Sequence, residues 1–197
     1  MDATRTYFEQ IAARWEEPSP ERLLNLERLA KQLSGVLPAS GRWLEVGTGT
    51  GIFIPYLFRH HADMRLVSLD LAFNMLQRAS QRKTSAMLNQ ADVRNLPYPD
   101  GCFSLVICHN SFPHFGDYPV ALQELKRVAT IGGKVVIAHD IGRERVNAVH
   151  LHSHAGFIHH HLLPTGQEMM AFFNQAGMGS VNVIDNQEYF LAYAERI

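Results

Sequence analysis

The chain has 197 residues, of which 46% are hydrophobic and 19% are charged, and its formal net charge is −1. This length predicts a single domain over 1–197 with a substantial core, and the near-neutral charge argues against a broad nucleic-acid-binding surface. No apolar run approaches the ~20 residues of a membrane span, and the first residues lack the apolar core of a signal peptide. We therefore expect a cytoplasmic protein without nucleic-acid or membrane partners, as a monomer or homodimer.

Two helices are predicted in the N-terminal region, 1–38. The first covers residues 2–16, and Ser19 with Pro20 is expected to begin the second as its N-cap and first helical residue. The first helix either docks on the core or forms a flap over a bound cofactor. Its apolar residues recur at helical spacing and are Tyr7, Phe8, Ile11 and Trp15.

Strands and helices alternate from residue 42 onward. This alternation predicts an open α/β sheet. The pair Gly132-Gly133 is expected to turn the chain into the fifth strand. The tail, 180–195, alternates like two strands. The remaining predicted strands are 42–46, 65–69, 86–90, 102–108 and 134–138, and the predicted helices are 50–60, 72–81, 118–129 and one that Thr165 caps.

A glycine-rich turn follows the first predicted strand. Glycines alternate at three positions over 47–51, directly after Glu45. Glycine lets the backbone approach a ligand closely, and the predicted helix behind the turn would offer free N–H groups. Asp70 ends the second strand and Asp92 follows the third, where carboxylates suit ribose hydroxyls and an adenine amino group. The pattern indicates a nucleoside-containing ligand.

These residues together resemble class I S-adenosylmethionine-dependent methyltransferases. The segment 44–51 is similar to the first motif of that family, Asp70 to its ribose-binding acid and Asp92 to its adenine-contacting acid. The segment 96–106 resembles the fourth-strand signature of the family, and 121–133 resembles the helix and turn that follow it. The resemblance covers roughly residues 40–140.

The resemblance implies a fold and an activity. The expected fold is a Rossmann-like, mostly parallel seven-stranded sheet with an antiparallel final strand and helices on both faces. The expected function is methyl transfer from S-adenosylmethionine to a small-molecule acceptor by in-line displacement. The residues that it assigns to the cofactor are Glu45, Gly47, Thr48, Gly49, Gly51, Asp70, Leu71, Asp92, Val93 and His109.

Two histidines are the candidates to face the methyl acceptor. The family fold places the substrate beyond the fourth and fifth strands, whose ends carry His114 and His139. Histidine suits a general base near neutral pH. The alternative for each is an orienting or solvent-exposed histidine. We expect the backbone of His109 to line the methionine end of the cofactor.

Residues 141–164 are predicted to insert as a cap before the next helix. A helical stripe there could be a solvated face, a face over the acceptor pocket, or part of a metal site, and no metal ligand is assigned. The stripe is Arg143, Asn147, His150 and His154, with further imidazoles at His152, His159, His160 and His161. An alternative function is a non-catalytic module that binds a cofactor or a metal through 139–161, and a nicotinamide-dependent dehydrogenase is a weaker one.

Overall fold

The structure is a computed structural model that describes residues 3–15, 17–61, 63–153 and 155–197. Strands and helices alternate through most of the chain, as the sequence predicts. The strands are β1 (Gly41–Val46), β2 (Met64–Asp70), β3 (Met87–Gln90), β4 (Phe103–His109), β5 (Ala129–His139), β6 (Met178–Asp185) and β7 (Phe190–Arg196). The helices are α1 (Ala3–Ile11), α2 (Pro20–Leu33), α3 (Ile54–His60), α4 (Phe73–Gln81), α5 (Tyr118–Val128), α6 (Arg143–Leu151) and α7 (Gly166–Gln175).

The seven strands form one sheet in the order β3-β2-β1-β4-β5-β7-β6. Neighbouring strands from β3 to β5 are parallel, and β7 runs antiparallel to both β5 and β6. The prediction of a mostly parallel seven-stranded sheet with an antiparallel final strand is therefore confirmed. The strand order reverses beside β1, so the carboxyl ends of β1 and β4 open a crevice where ligands bind in such folds.

The core has two layers, one on each face of the sheet. Successive residues of a strand point to opposite faces, so β4 contributes Leu105 and Ile107 to one layer and Val106 and Cys108 to the other. All four side chains are fully buried. A central parallel strand covered on both faces accounts for the nearly continuous apolar run of β4.

Local capping signals are confirmed at two helices. The Ser19 side chain accepts a hydrogen bond from the Arg22 backbone N–H, and Pro20 lies at the start of α2. Thr165 forms a capping box with Glu168 at the start of α7. None of the described helices combines the length and the apolar character that crossing a bilayer requires.

Three predicted boundaries are wrong. The first α-helix ends at Ile11 and is followed by the 3₁₀ helix Ala12–Arg14, instead of continuing to residue 16. Helix α3 begins at Ile54 rather than at residue 50, because Gly49 and Gly51 adopt φ of +54° and +73°, outside the right-handed helical region. Strand β5 begins at Ala129 and runs through Gly132-Gly133 instead of starting after a turn. The glycine pair lies in an irregularity of the β4–β5 register, which shifts between Phe103 and Leu105.

Candidate functional site

A cavity of about 160 Å³ lies at the carboxyl ends of β1, β2 and β4. Its position is the crevice in which open α/β sheets bind ligands. Most of the residues that the sequence assigned to a site meet here. Those lining the cavity are Gly47, Thr48, Gly49, Asp70, Leu71, Asp92, Val93, His109 and His114.

The glycine turn supplies one wall of this cavity with bare backbone. Gly47 has φ +74°, and a Cβ there would lie 2.3 Å from the Cβ of Ser111. Gly49 has φ +54°, and a Cβ there would meet no atom within 4 Å, so this position faces open space. Gly51 is not among the residues that line the cavity. It faces α4 instead, where a Cβ would lie 3.0 Å from the Cβ of Ala79.

Asp70, the last residue of β2, is held by two backbone amides. Its Oδ2 accepts a hydrogen bond from the Gly49 N–H at 2.8 Å, and its Oδ1 accepts one from the Ala72 N–H at 2.9 Å. Asp70 is only 8% exposed. Burial raises the pKa of its carboxyl to about 6, although the two amide hydrogen bonds oppose this shift. Each carboxylate oxygen keeps acceptor capacity for a ligand hydroxyl.

Glu45 lies behind the glycine turn rather than in the cavity. Its Oε2 accepts hydrogen bonds from the hydroxyls of Thr48 at 2.8 Å and Ser68 at 2.7 Å. Burial raises the pKa of Glu45 against these two hydrogen bonds. The geometry gives Glu45 a role in bracing Thr48 and thereby the turn, which differs from the ligand contact that the sequence predicts.

Asp92 and Arg94 form an ion pair in the loop that follows β3. The guanidinium of Arg94 donates to Asp92 Oδ2 at 2.6 Å, and the Arg94 backbone N–H donates to Asp92 Oδ1 at 2.9 Å. Both residues line the cavity, together with Val93 and Leu71. The guanidinium of Arg94 therefore compensates the negative charge of the Asp92 carboxylate.

The N-terminal segment docks on the domain and contributes residues to the cavity lining. The Glu9 carboxylate accepts hydrogen bonds from the Phe73 and Asn74 backbone N–H groups at the start of α4, each at 2.8 Å. Phe8 and Trp15 line the cavity. Tyr7 instead packs edge-on against Phe157, with ring centroids 4.9 Å apart. The docking interpretation thus fits the contacts of Glu9, while the flap over a cofactor stays a prediction.

The side chains of Arg78 in α4 and of Arg82, which directly follows it, also bind the N-terminal segment. The Arg78 guanidinium donates to the backbone carbonyls of Ala12 at 3.3 Å and Trp15 at 3.1 Å. Glu17 bonds to Arg82 at 2.9 Å, and this ion pair lowers the pKa of the Glu17 carboxyl. The segment that carries Trp15 is therefore fixed to α4 by hydrogen bonds as well as by apolar contact.

A buried polar network closes the end of the cavity at β4 and β5. The His109 ring stacks on Phe53 with centroids 4.1 Å apart, and its Nε2 lies 4.0 Å from Asp140 Oδ1. The Asn110 amide donates to the same carboxylate, and Arg22 Nε lies 3.6 Å from Asp140 Oδ2. Burial lowers the pKa of His109 to about 4, so the imidazole is neutral at physiological pH.

His114 lines the cavity from the short 3₁₀ helix Phe112–His114. Its Nδ1 lies 3.0 Å from Nδ1 of His161, and its ring centroid lies 5.1 Å from that of Phe8. His139 is placed differently: it is 2% exposed, packs against Phe190 and is not among the residues that line the cavity. Burial lowers the pKa of His139 to about 3.

The described residues of the predicted stripe make polar contacts with the rest of the chain, which argues against a purely solvated face. Asn147 exchanges two hydrogen bonds with the backbone of Leu163, and His150 donates from Nδ1 to the His161 carbonyl. Arg143 pairs with Asp185 at 2.8 Å. His154, predicted to extend this stripe, lies outside the described residues. Within the described ranges, no group of three or more His, Cys, Asp or Glu side chains is arranged to hold a metal ion.

Several cavity residues received no role from the sequence. Ser111 donates from its hydroxyl to the Val46 carbonyl at 2.8 Å and fills the space beside Gly47. Arg22 and Asn110 meet at Asp140 although they come from distant parts of the chain. Only Ser111 and Asn110 had a signal, since both directly follow the fourth predicted strand.

Comparison with known proteins identifies the central part of the chain. A methyltransferase domain family matches residues 44–137. A demethylmenaquinone methyltransferase of Deinococcus radiodurans is 32% identical over 142 residues, which are 68% of this chain and 59% of the relative. A malonyl-[acyl-carrier protein] O-methyltransferase of Halorhodospira halophila is 34% identical over 137 residues, 68% of this chain and 46% of the relative.

A solved structure gives the same fold over nearly the whole chain. The crystal structure of a SAM-dependent methyltransferase from Aquifex aeolicus superimposes with a TM-score of 0.74 and 20% identity, covering 96% of this chain and 98% of that one. By contrast, the chain spans about half the length of the curated relatives that it matches.

Proposed function

Because this chain belongs to the class I S-adenosylmethionine-dependent methyltransferases, we propose that it binds S-adenosylmethionine in the cavity and methylates a small molecule. The observation that carries the proposal is the pairing of Asp70 with the backbone of Gly49. It brings a carboxylate to the backbone of Gly49, where a Cβ would meet no atom within 4 Å. The ribose hydroxyls of the cofactor need a carboxylate acceptor, and its amino-acid part needs open backbone to bind to, so the two groups must lie side by side.

The lining residues fit the parts of this cofactor. Asp70 accepts hydrogen bonds from the two ribose hydroxyls, and Asp92, with Leu71 and Val93, holds the adenine. Backbone groups over Gly47–Gly49, together with His109, contact the methionine part. Glu45 and Gly51 support the turn from behind instead of contacting the cofactor.

The cofactor supplies a methyl group on a positively charged sulfur, which a nucleophile displaces in line. The protein aligns the acceptor with that group and excludes water. Phe8 and Trp15 from the N-terminal segment cover the cavity, which gives the site an apolar roof. His114 is the one predicted base that lines the cavity, so we keep it as the candidate to receive a proton from the acceptor and set His139 aside.

A small molecule fits this cavity better than a polymer does. The net charge of −1 supplies no excess of positive charge for nucleic acid. The two lining arginines, Arg22 and Arg94, each lie beside a carboxylate of this chain, Asp140 and Asp92.

The test is turnover with a panel of metabolites. Purified protein is incubated with S-adenosylmethionine and candidate acceptors, including quinols, carboxylates and primary amines, and formation of S-adenosylhomocysteine is measured. We expect one class of acceptor to give product at a rate that, with S-adenosylmethionine below saturation, falls in Asp70→Ala and is retained in the exposed-site variant Asp63→Ala. Binding of the cofactor without turnover of any acceptor would instead favour the non-catalytic binding module.

A further inference from the structure

Two histidines that are 47 residues apart in the chain share a short ring-to-ring contact. Nδ1 of His114 and Nδ1 of His161 are 3.0 Å apart, which is hydrogen-bond distance. His150 fixes the backbone of His161, because its Nδ1 donates a hydrogen bond to the His161 carbonyl. A carbonyl can only accept, so His150 carries its proton on Nδ1.

The contact restricts the protonation of the pair. Two neutral imidazoles at this distance need one Nδ1 with a proton and one with a lone pair. If His114 donates, its remaining nitrogen, Nε2, has a lone pair and can accept a proton from a ligand. His161 Nδ1 then accepts, and the arrangement matches the way in which an orienting group fixes a catalytic histidine.

Proton uptake by His114 alone is unfavourable. Burial first, and then the neighbouring imidazoles of His150, His161 and His139, hold the pKa of His114 well below its usual range. These neighbours come from α6, from the segment after the 3₁₀ helix Gly156–His160, and from β5, while α1 contributes the uncharged ring of Phe8. A proton taken by His114 therefore has to be passed on.

We infer that His161 is the positioning residue that accepts this proton, so that His114 and His161 form a two-histidine relay serving an acceptor with a protonated nucleophile. The inference rests on the proposed methyltransferase function and deepens it. His161 is only partly buried, whereas the His139 side chain at the end of β5 is enclosed. The relay thus runs from the cavity toward the surface of the cap.

The transfer balances in atoms and charge. The acceptor O–H gives its proton to His114 Nε2 while the Nδ1 proton of His114 moves to His161 Nδ1. The freed oxygen electron pair forms the bond to the methyl carbon, and the carbon–sulfur bond of the sulfonium donor breaks to leave a neutral thioether. The positive charge thereby passes from sulfur to the His161 imidazolium, which releases its proton to water.

The surroundings of the pair fit an aromatic hydroxyl. Ring edges enclose it: Phe157 lies 5.1 Å from His161 and 4.9 Å from Tyr7, and Phe8 lies 5.1 Å from His114. Aromatic side chains in such edge contacts favour a flat apolar partner. Burial holds the pKa of His114 well below its usual range, so its neutral ring offers no fixed charge for an ammonium or a carboxylate group.

The hydrogen bond itself can be observed without turnover. Protein labelled with ¹⁵N-histidine and saturated with S-adenosylhomocysteine should show a through-hydrogen-bond N–N coupling between His114 and His161. The coupling should disappear in His161→Asn and persist in the adjacent exposed-site control His160→Asn. Protonation of His114 on Nε2 in the wild type, with no coupling, would overturn the relay. Stoichiometric metal bound between the two rings would also overturn it.

The relay is tested with 4-nitrophenol, whose ionised form absorbs visible light. Bound to the S-adenosylhomocysteine complex, it should ionise at a pH about one unit lower than in His161→Asn, which is about a tenfold difference in its ionisation constant. Equal ionisation in both proteins overturns the relay, and failure of the probe to bind overturns the aromatic-hydroxyl assignment. Failure of S-adenosylhomocysteine itself to bind contradicts the proposed function instead, so the two failures are distinguishable.

Discussion

The carboxylate of Asp70 accepts a hydrogen bond from the backbone N–H of Gly49, with 2.8 Å between Oδ2 and the amide nitrogen. The contact joins the end of β2 to the turn after β1. It places a buried carboxylate where the bare backbone of the turn meets the cavity. Binding of a ligand here should therefore depend on the charge of Asp70.

Cofactor affinity is expected to weaken in mild acid. The folded-state pKa of Asp70 is raised to about 6, and only the ionised carboxylate accepts both ribose hydroxyls. The dissociation constant of S-adenosylhomocysteine should be about fourfold higher at pH 5.5 than at pH 7.5, from the fraction of Asp70 that is protonated. Calorimetric titration across this range measures it. Asp70→Asn should bind weakly with a flat pH profile in this range, and a flat profile in the wild type would contradict the role of Asp70.

The buried His139 is expected to make the fold acid-sensitive. Its folded-state pKa is lowered to about 3 by burial, so its contribution to stability is complete above the unfolded value near 6.5 and is lost as the pH falls below it. The slope from this group is about 1.4 kcal/mol per pH unit. His139→Leu should lose less stability than the wild type between pH 7.5 and pH 5 in urea unfolding. His160→Asn, on the exposed cap, should behave like the wild type.

Two glycine substitutions should separate damage to the fold from damage to the site. Both Gly47 and Gly49 have positive φ, but only at Gly47 would a Cβ collide with Ser111, at 2.3 Å. Gly47→Ala should unfold at markedly lower urea concentration. Gly49→Ala should cost only about 1 kcal/mol of backbone strain, since its Cβ meets open space. Because Gly49 lines the cavity, we expect that variant to fold and yet to bind S-adenosylhomocysteine weakly, and normal binding would argue against cofactor contact at this turn.

Removing the Glu9 carboxylate should loosen the cover of the cavity. Glu9 accepts two backbone hydrogen bonds at the start of α4, so Glu9→Ala loses a helix cap worth about 1 kcal/mol. Phe8, the neighbouring residue, lines the cavity, and we expect weaker cofactor affinity together with faster protease cleavage of the N-terminal segment. Gln10→Ala, at the next and exposed position of α1, is the matched control. Equal cofactor affinity in Glu9→Ala and Gln10→Ala would show that the docking of α1 does not contribute to cofactor binding.

Features set by neighbouring residues were predictable from the sequence. The N-cap Ser19, the capping box of Thr165 and the acid at the end of β2 depend on contacts within a few residues or on a strand end. The start of β5 was missed because its first residues pair with Phe103 on another strand, and the glycine pair marks an irregularity there. Pairing between strands is not visible in local composition.

The acceptor side was the least predictable part of the site. His139 has the residue type of a base, but strand alternation places it on the same face as Ile137, which packs into the core. His161 is one of several histidines in the segment 141–164, and its contact with His114 joins residues that are 47 positions apart in the chain. Glu45 likewise has the chemistry of a ligand contact, and the hydroxyls of Thr48 and Ser68 occupy it instead.

The central claim is that the cavity beside Asp70 holds S-adenosylmethionine. The most direct measurement is calorimetric titration of S-adenosylhomocysteine into the wild type, Asp70→Ala and the exposed-site control Asp63→Ala at pH 7.5. We predict one site per chain in the wild type and the control, and an affinity lower by ~1–3 kcal/mol in Asp70→Ala, the scale of a lost buried hydrogen bond. Absence of binding to the wild type, or equal affinity in all three proteins, would contradict the account.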